Sequence, residues 1–115
     1  WVEGIVSEPL EVDRPILTQK KNNKAYSNVS SKGKSARTEF FPDIVSGGKT
    51  KLKCIIHRGR THQIRTHLRY IDHPIIGDEQ YGGRRAKRVM LHAYKVRLLG
   101  MEFVADEPKI FKDFQ

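Results

Sequence analysis

The stretch His57-Arg58-Gly59-Arg60-Thr61-His62-Gln63-Ile64-Arg65-Thr66-His67-Leu68, followed by Arg69, gathers four arginines in a span, residues 44–71, that holds no Asp or Glu. A guanidinium is a permanent cation, so these side chains answer to water or to an anion brought from elsewhere. Gly59 gives permissive backbone just before a helix start, where free N–H groups and the helix dipole favour an anion flanked by Arg60 and His62. An ordinary glycine turn into a capped helix is the competing reading. His62 and Gln63 fall on the first turn, within reach of a base, a phosphate or a neighbouring loop. Arg65, one residue past Ile64, sits at the border of the apolar stripe. Its guanidinium either turns inward to meet a carboxylate or outward to solvent.

Other chemistries find less support. His57, His62 and His67 are five residues apart, a step that rotates a helical face by roughly 140° instead of returning to it. Neither HExxH nor paired CxxC occurs, so no metal is expected. Ser27, Ser30, Ser31 and Ser35 have no His–Asp arrangement near them in sequence, and the single cysteine, Cys54, falls in an apolar alternation as core filler. One cysteine excludes an internal disulfide and suits a reducing, cytoplasmic setting. The sequence shows neither an apolar run of about 18 residues nor a charged-then-apolar leader, so neither membrane span nor signal peptide is expected. It opens on Trp1 without methionine, and "WVEGIV" reads as the end of a strand begun earlier.

The elements that would position these residues follow from pattern. The 115 residues suit one domain, and a hydrophobic share of 37% implies a modest core. The net charge of +9 points to polyanions. A second acid-free run, residues 14–37, carries Arg14, Lys20, Lys21, Lys24, Lys32, Lys34 and Arg37. Such runs suit a phosphate-tracking surface or solvated loops. Val2–Val6 reads as a strand, residues 7–15 as a proline-bounded turn region, and residues 19–35 as a long mobile loop. Ala36–Val45 and Lys51–His57 read as two strands joined through Ser46-Gly47-Gly48, with Pro42 marking an edge or a bulge. Thr61–Ile71 is the helix, with Thr61 as N-cap and Ile64, Leu68 and Ile71 aligned, stopped by Asp72-His73-Pro74. Gly77-Asp78 and Tyr81-Gly82-Gly83 mark turns. Residues 88–99 alternate as a strand, with Met101–Ala105 as its hairpin partner across Gly100.

On these residues the chain resembles a known family. "GRTHQIRTHL" (Gly59–Leu68), "HPIIGDEQYGG" (His73–Gly83) and "RVMLHA" (Arg88–Ala93) are similar to the third conserved motif and its continuation in the RluA-type pseudouridine synthases. "GKSARTEF" (Gly33–Phe40) resembles the family's GKxAxTxY strand, and residues 103–114 its closing segment. Asp72 departs from the pattern, which has glycine before His-Pro. Aspartate tolerates a left-handed helix end better than most residues.

The resemblance implies an α+β fold with a mixed, mainly antiparallel β-sheet and a few helices, of which residues 1–115 would be a single partial domain, the C-terminal half. It implies isomerisation of uridine to pseudouridine in rRNA or tRNA, without metal or cofactor. The family nucleophile is an aspartate in HRLDxxTSG, followed by a tyrosine in KxYxAxVxG, and neither motif occurs here. Aligned on Gly4, both would precede Trp1. Asp13-Arg14 is no substitute, since Pro15 follows it. By motif match, Arg65 is the catalytic arginine that orients that missing aspartate. Arg58, Arg60, His62, Gln63, Arg69, Lys32 and Lys34 are the expected RNA-binding residues. The expected partners are RNA, the other half of the domain, and a second copy through an exposed sheet edge. The alternative function is a basic RNA-binding module without chemistry.

Overall fold

A computed structural model describes residues 1–57, 59–91, 95–98 and 101–104. The centre is an antiparallel sheet of β1 (Val2–Glu3), β2 (Leu10–Asp13), β5 (Arg37–Ser46) and β6 (Lys49–Ile56), in the order β1-β6-β5-β2. β5 and β6 meet at Gly47-Gly48, where φ values of 59° and 74° make the two-residue turn that only glycine enters freely. Their register places Phe40 against Cys54 and slips between Pro42 and Ile44, so Pro42 marks a bulge as its missing donor requires.

Several stretches differ from expectation, beginning with the expected strand Val2–Val6, which ends at Glu3 because Gly4 turns at φ 83°. Residues 7–15 contain β2, because Leu10 and Val12 alternate with Glu11 and Asp13 and pair with Phe40 and Thr38 of β5. Residues 19–35 are largely a hairpin, β3 (Ile16–Lys21) with β4 (Lys24–Val29). Asn22 and Asn23 turn it at φ 52° and 63°, a conformation asparagine accepts at low cost. The polar composition concealed it, since the strands contribute backbone pairing and only Ile16 and Ser27 are fully buried.

The helix α1 runs from Gln63 to Tyr70, with Leu68 buried against the sheet. Thr61 is not its N-cap: His62 takes that place at φ 53°, and no side chain caps it. The first turn is closed from within, Arg60 N–H donating to Gln63 Oε1 at 3.0 Å and Gln63 N–H to Arg60 O at 3.1 Å. At the other end Asp72 adopts φ 62°, with His73 N–H donating to Leu68 O and Asp72 N–H to Arg69 O. This left-handed exit is the one the sequence expects of Asp72. Phe40, Leu68, Ile75, Ile76 and Met90 form the core with Val2, Val6, Val12 and Trp1. β7 (Lys95–Leu98) and β8 (Met101–Val104) form the expected antiparallel pair, whereas residues 88–91 are not strand. Positions 92–94, 99–100 and 105–115, which carry part of the expected strand and the closing segment, lie outside the described residues.

Candidate active site

The arginine that the sequence leaves without an acid has one. Arg65 Nε donates to Asp78 Oδ2 and Arg65 Nη2 to Asp78 Oδ1, both at 2.8 Å, and Nη2 also donates to Gln80 Oε1 at 3.0 Å. Asp78 is 1% exposed while the Arg65 side chain keeps 20%. This corrects the expectation that Arg65 has no partner among these residues. Gly77-Asp78 reads locally as a turn, and in space that turn delivers a buried carboxylate to the helix. Hydrogen bonding to Asp78 raises the Arg65 guanidinium above its ordinary value against the opposing effect of burial. Arg65 Nη1 makes no hydrogen bond among the described residues.

Around this pair the structure assembles residues that sequence reading passed over. Tyr81 is fully buried, stacked on Tyr26 with ring centroids 4.9 Å apart and planes 3° from parallel. The Arg65 guanidinium carbon lies 4.6 Å from the Tyr81 centroid, and His62 meets the ring edge-on. Ser27 N–H donates to the Tyr81 hydroxyl at 2.9 Å, and His62 Nδ1 lies 2.7 Å from the same oxygen. Burial lowers His62 from its ordinary value, repulsion from Arg65 lowers it further and Asp78 partly opposes them. The single usable signal was "GDEQYGG" itself: an Asp, a Tyr and three glycines packed into seven residues is more than a turn requires.

The expected RNA-binding residues divide. Lys32, Lys34 and Arg60 line one cavity of about 320 Å³. Arg69 is exposed in the last turn of α1. His62 belongs to the Tyr81 cluster. Gln63 is a correction: it is 3% exposed, and its amide nitrogen donates to Arg37 O and Thr38 Oγ1, so it holds the helix to β5 and is closed to a ligand. Arg58 lies outside the described residues. The three histidines have separate partners, His57 at Glu39 Oε2, His62 at Tyr81, and His67 between Thr38 and the Arg14 carbonyl. Cys54 lies half-buried in β6, and burial pushes its thiol up to about 12, away from the thiolate.

No protein-family model matches the chain. An "Uncharacterized RNA pseudouridine synthase" of Helicobacter pylori strain J99 is 51% identical over 113 residues, which is 96% of this chain and 46% of that protein. The "Ribosomal large subunit pseudouridine synthase D" of Borreliella burgdorferi is 38% identical over 108 residues, 86% of this chain and 33% of that protein. Among solved structures, "Human RNA Pseudouridylate Synthase Domain Containing 1" superposes with a TM-score of 0.75 at 24% identity, covering 93% of this chain and 52% of that one, a likeness of fold. The chain spans less than half the length of these two curated relatives. With an antiparallel sheet, a helix that starts inside "GRTHQIRTHL" and relatives of this kind along nearly all its residues, the chain belongs to the RluA-type RNA pseudouridine synthases.

Proposed function

We propose that this chain is part of an enzyme that isomerises uridine to pseudouridine in ribosomal or transfer RNA, acting in the cytoplasm and using neither metal nor cofactor. The observation that carries the reading is the Arg65 guanidinium, held on two nitrogens by buried Asp78 while Nη1 is left over. An arginine so fixed is pre-aimed, and a second carboxylate meeting Nη1 would be kept ionised and oriented. In this reading that carboxylate is the family's nucleophilic aspartate, supplied by sequence beyond these 115 residues. The remaining half of the same domain is then a partner, and β2, an outer strand of the sheet, is where it or a second copy adds, since the far side of β1 is already bridged to Ile75.

The chemistry asks little more of the protein. The N1–C1′ bond of uridine breaks, the uracil turns, C5 bonds to C1′, the C5 proton leaves and N1 gains one. A nucleotide must first leave its stack, which exposed cations assist by holding the flanking phosphates. The test is tritium release from RNA labelled at uridine C5, by the protein that carries this chain together with the aspartate motif. Release with pseudouridine in the RNA digest supports the reading. RNA binding without release would favour a binding module instead.

A further inference from the structure

The cavity lined by Lys32, Lys34 and Arg60 is separate from the Arg65 pair and has its own construction. The backbone of residue 34 is bound to β3 from both sides, Ile16 N–H donating to Lys34 O at 2.8 Å and Lys34 N–H to Ile16 O at 2.9 Å. A Cβ on Gly33 would fall 2.3 Å from the Ile16 carbonyl carbon, so only glycine lets the loop lie this close to the strand. With its backbone fastened, the loop presents two lysine side chains, both exposed and neither in an ion pair among the described residues. From the other wall Arg60 Nε donates to Ser35 O at 2.8 Å, which pins the guanidinium and leaves its Nη groups without a hydrogen bond among the described residues. Among the described residues no carboxylate lines the cavity. Three cations around one concave space with no counter-charge repel each other unless an anion joins them.

The cavity also has an address relative to the candidate active site. Its wall residue Thr61 accepts a hydrogen bond from Ser27 Oγ through its carbonyl at 2.9 Å, and the Ser27 N–H donates to the Tyr81 hydroxyl. Thr18, on the facing wall, lies 2.7 Å from Ser27 Oγ. One buried serine therefore joins the cavity to the ring against which Arg65 rests. Resting on the RNA reading proposed above, we infer that this cavity seats backbone phosphates of the strand next to the nucleotide at Arg65. It is a phosphodiester clamp that reads charge and spacing, not base identity.

The intact protein is titrated with substrate RNA at several salt concentrations, as wild type, as the Lys32→Gln/Lys34→Gln variant, and as a Lys53→Gln/Lys87→Gln variant that removes the same charge from exposed positions elsewhere. The cavity variant should bind about tenfold more weakly near 0.15 M salt, and its slope of log K against log salt should be shallower by about 1.4–1.8 for two lost phosphate contacts. KM should rise with kcat little changed, and the Lys53/Lys87 variant should stay near wild type. Equal weakening of both variants would reduce the cavity to general charge and overturn the inference, as would unchanged binding by the cavity variant. Wild-type protein that neither binds RNA nor releases tritium would remove the RNA reading itself, an outcome separable from the other two.

Discussion

Asp78 Oδ2 and Oδ1 receive Arg65 Nε and Nη2 at 2.8 Å each, a fork-to-fork pair that joins the helix to the turn after Ile76 and closes over the Tyr81 ring. A buried carboxylate in this arrangement is structural to the site whether or not it touches substrate. Asp78→Asn leaves one Arg65 donor facing an amide in a nearly sealed position. It should cost about 2 kcal/mol, less than the ~3–5 kcal/mol of a fully buried pair because Arg65 keeps some access to water. Urea unfolding of the two proteins measures it, and superimposable curves would show that the pair holds nothing.

Arg65→Ala should lower turnover by about 10²–10³-fold in the protein that carries the aspartate motif, while RNA affinity stays within about threefold. Arg65→Lys should not restore it, since an ammonium cannot bind Asp78 through two nitrogens and still offer a third. Tritium release and filter binding on the same samples separate the two quantities. The 115-residue chain on its own should release no tritium above background.

His67 is fully buried, its Nε2–H donating to the Arg14 carbonyl at 2.9 Å and its Nδ1 2.8 Å from Thr38 Oγ1. Gln63 donates to that same hydroxyl, which therefore gives its proton to His67. Burial lowers His67 from its ordinary value, partly opposed by the Arg14 carbonyl and Asp13. The unfolded chain takes up a proton near pH 6.5 and the folded chain resists it, so this stabilisation is complete above about pH 6.5 and is lost as pH falls through the lower folded value. His62 acts in the same direction. Stability should fall between pH 7 and 5, by at most about 1.4 kcal/mol per pH unit for each histidine. His67→Gln, which can still donate to Arg14, should show a shallower fall in denaturation followed by circular dichroism. An equal slope in both proteins would place the pH dependence elsewhere.

Gly77 holds the turn that delivers Asp78. Its φ is 87°, and a Cβ there would lie 2.0 Å from the Arg88 carbonyl oxygen. Gly77→Ala should destabilise by about 2–4 kcal/mol, and the displaced turn should loosen the Arg65 pair. Urea unfolding supplies the stability. Turnover measured well below the unfolding midpoint shows whether the site moves while the protein stays folded.

What the sequence determined alone is what neighbours along the chain decide. Gly47-Gly48 between alternating residues commits β5 and β6 to a hairpin, Pro42 limits its strand to an edge or a bulge, of which the structure takes the bulge, and Asp72 before His73-Pro74 ends the helix, in a left-handed turn in the structure. The family was legible for the same reason, because its motifs are contiguous. The β3–β4 hairpin was not, since polar strands carry little periodicity and Asn22-Asn23 resembles any solvated loop.

Only the tertiary structure decided which residue faces which. Arg65 and Asp78 are separated by a helix end and a turn, and nothing in either neighbourhood states that the turn folds back onto the helix. Gln63, polar and on a first turn, looked available to a ligand until β5 took its amide. Lys32, Lys34 and Arg60 became one cavity because Gly33 lets a loop lie against Ile16. Charge and periodicity are properties of a segment, whereas a paired carboxylate or a shared cavity belongs to two segments, and packing the core is what brings them together.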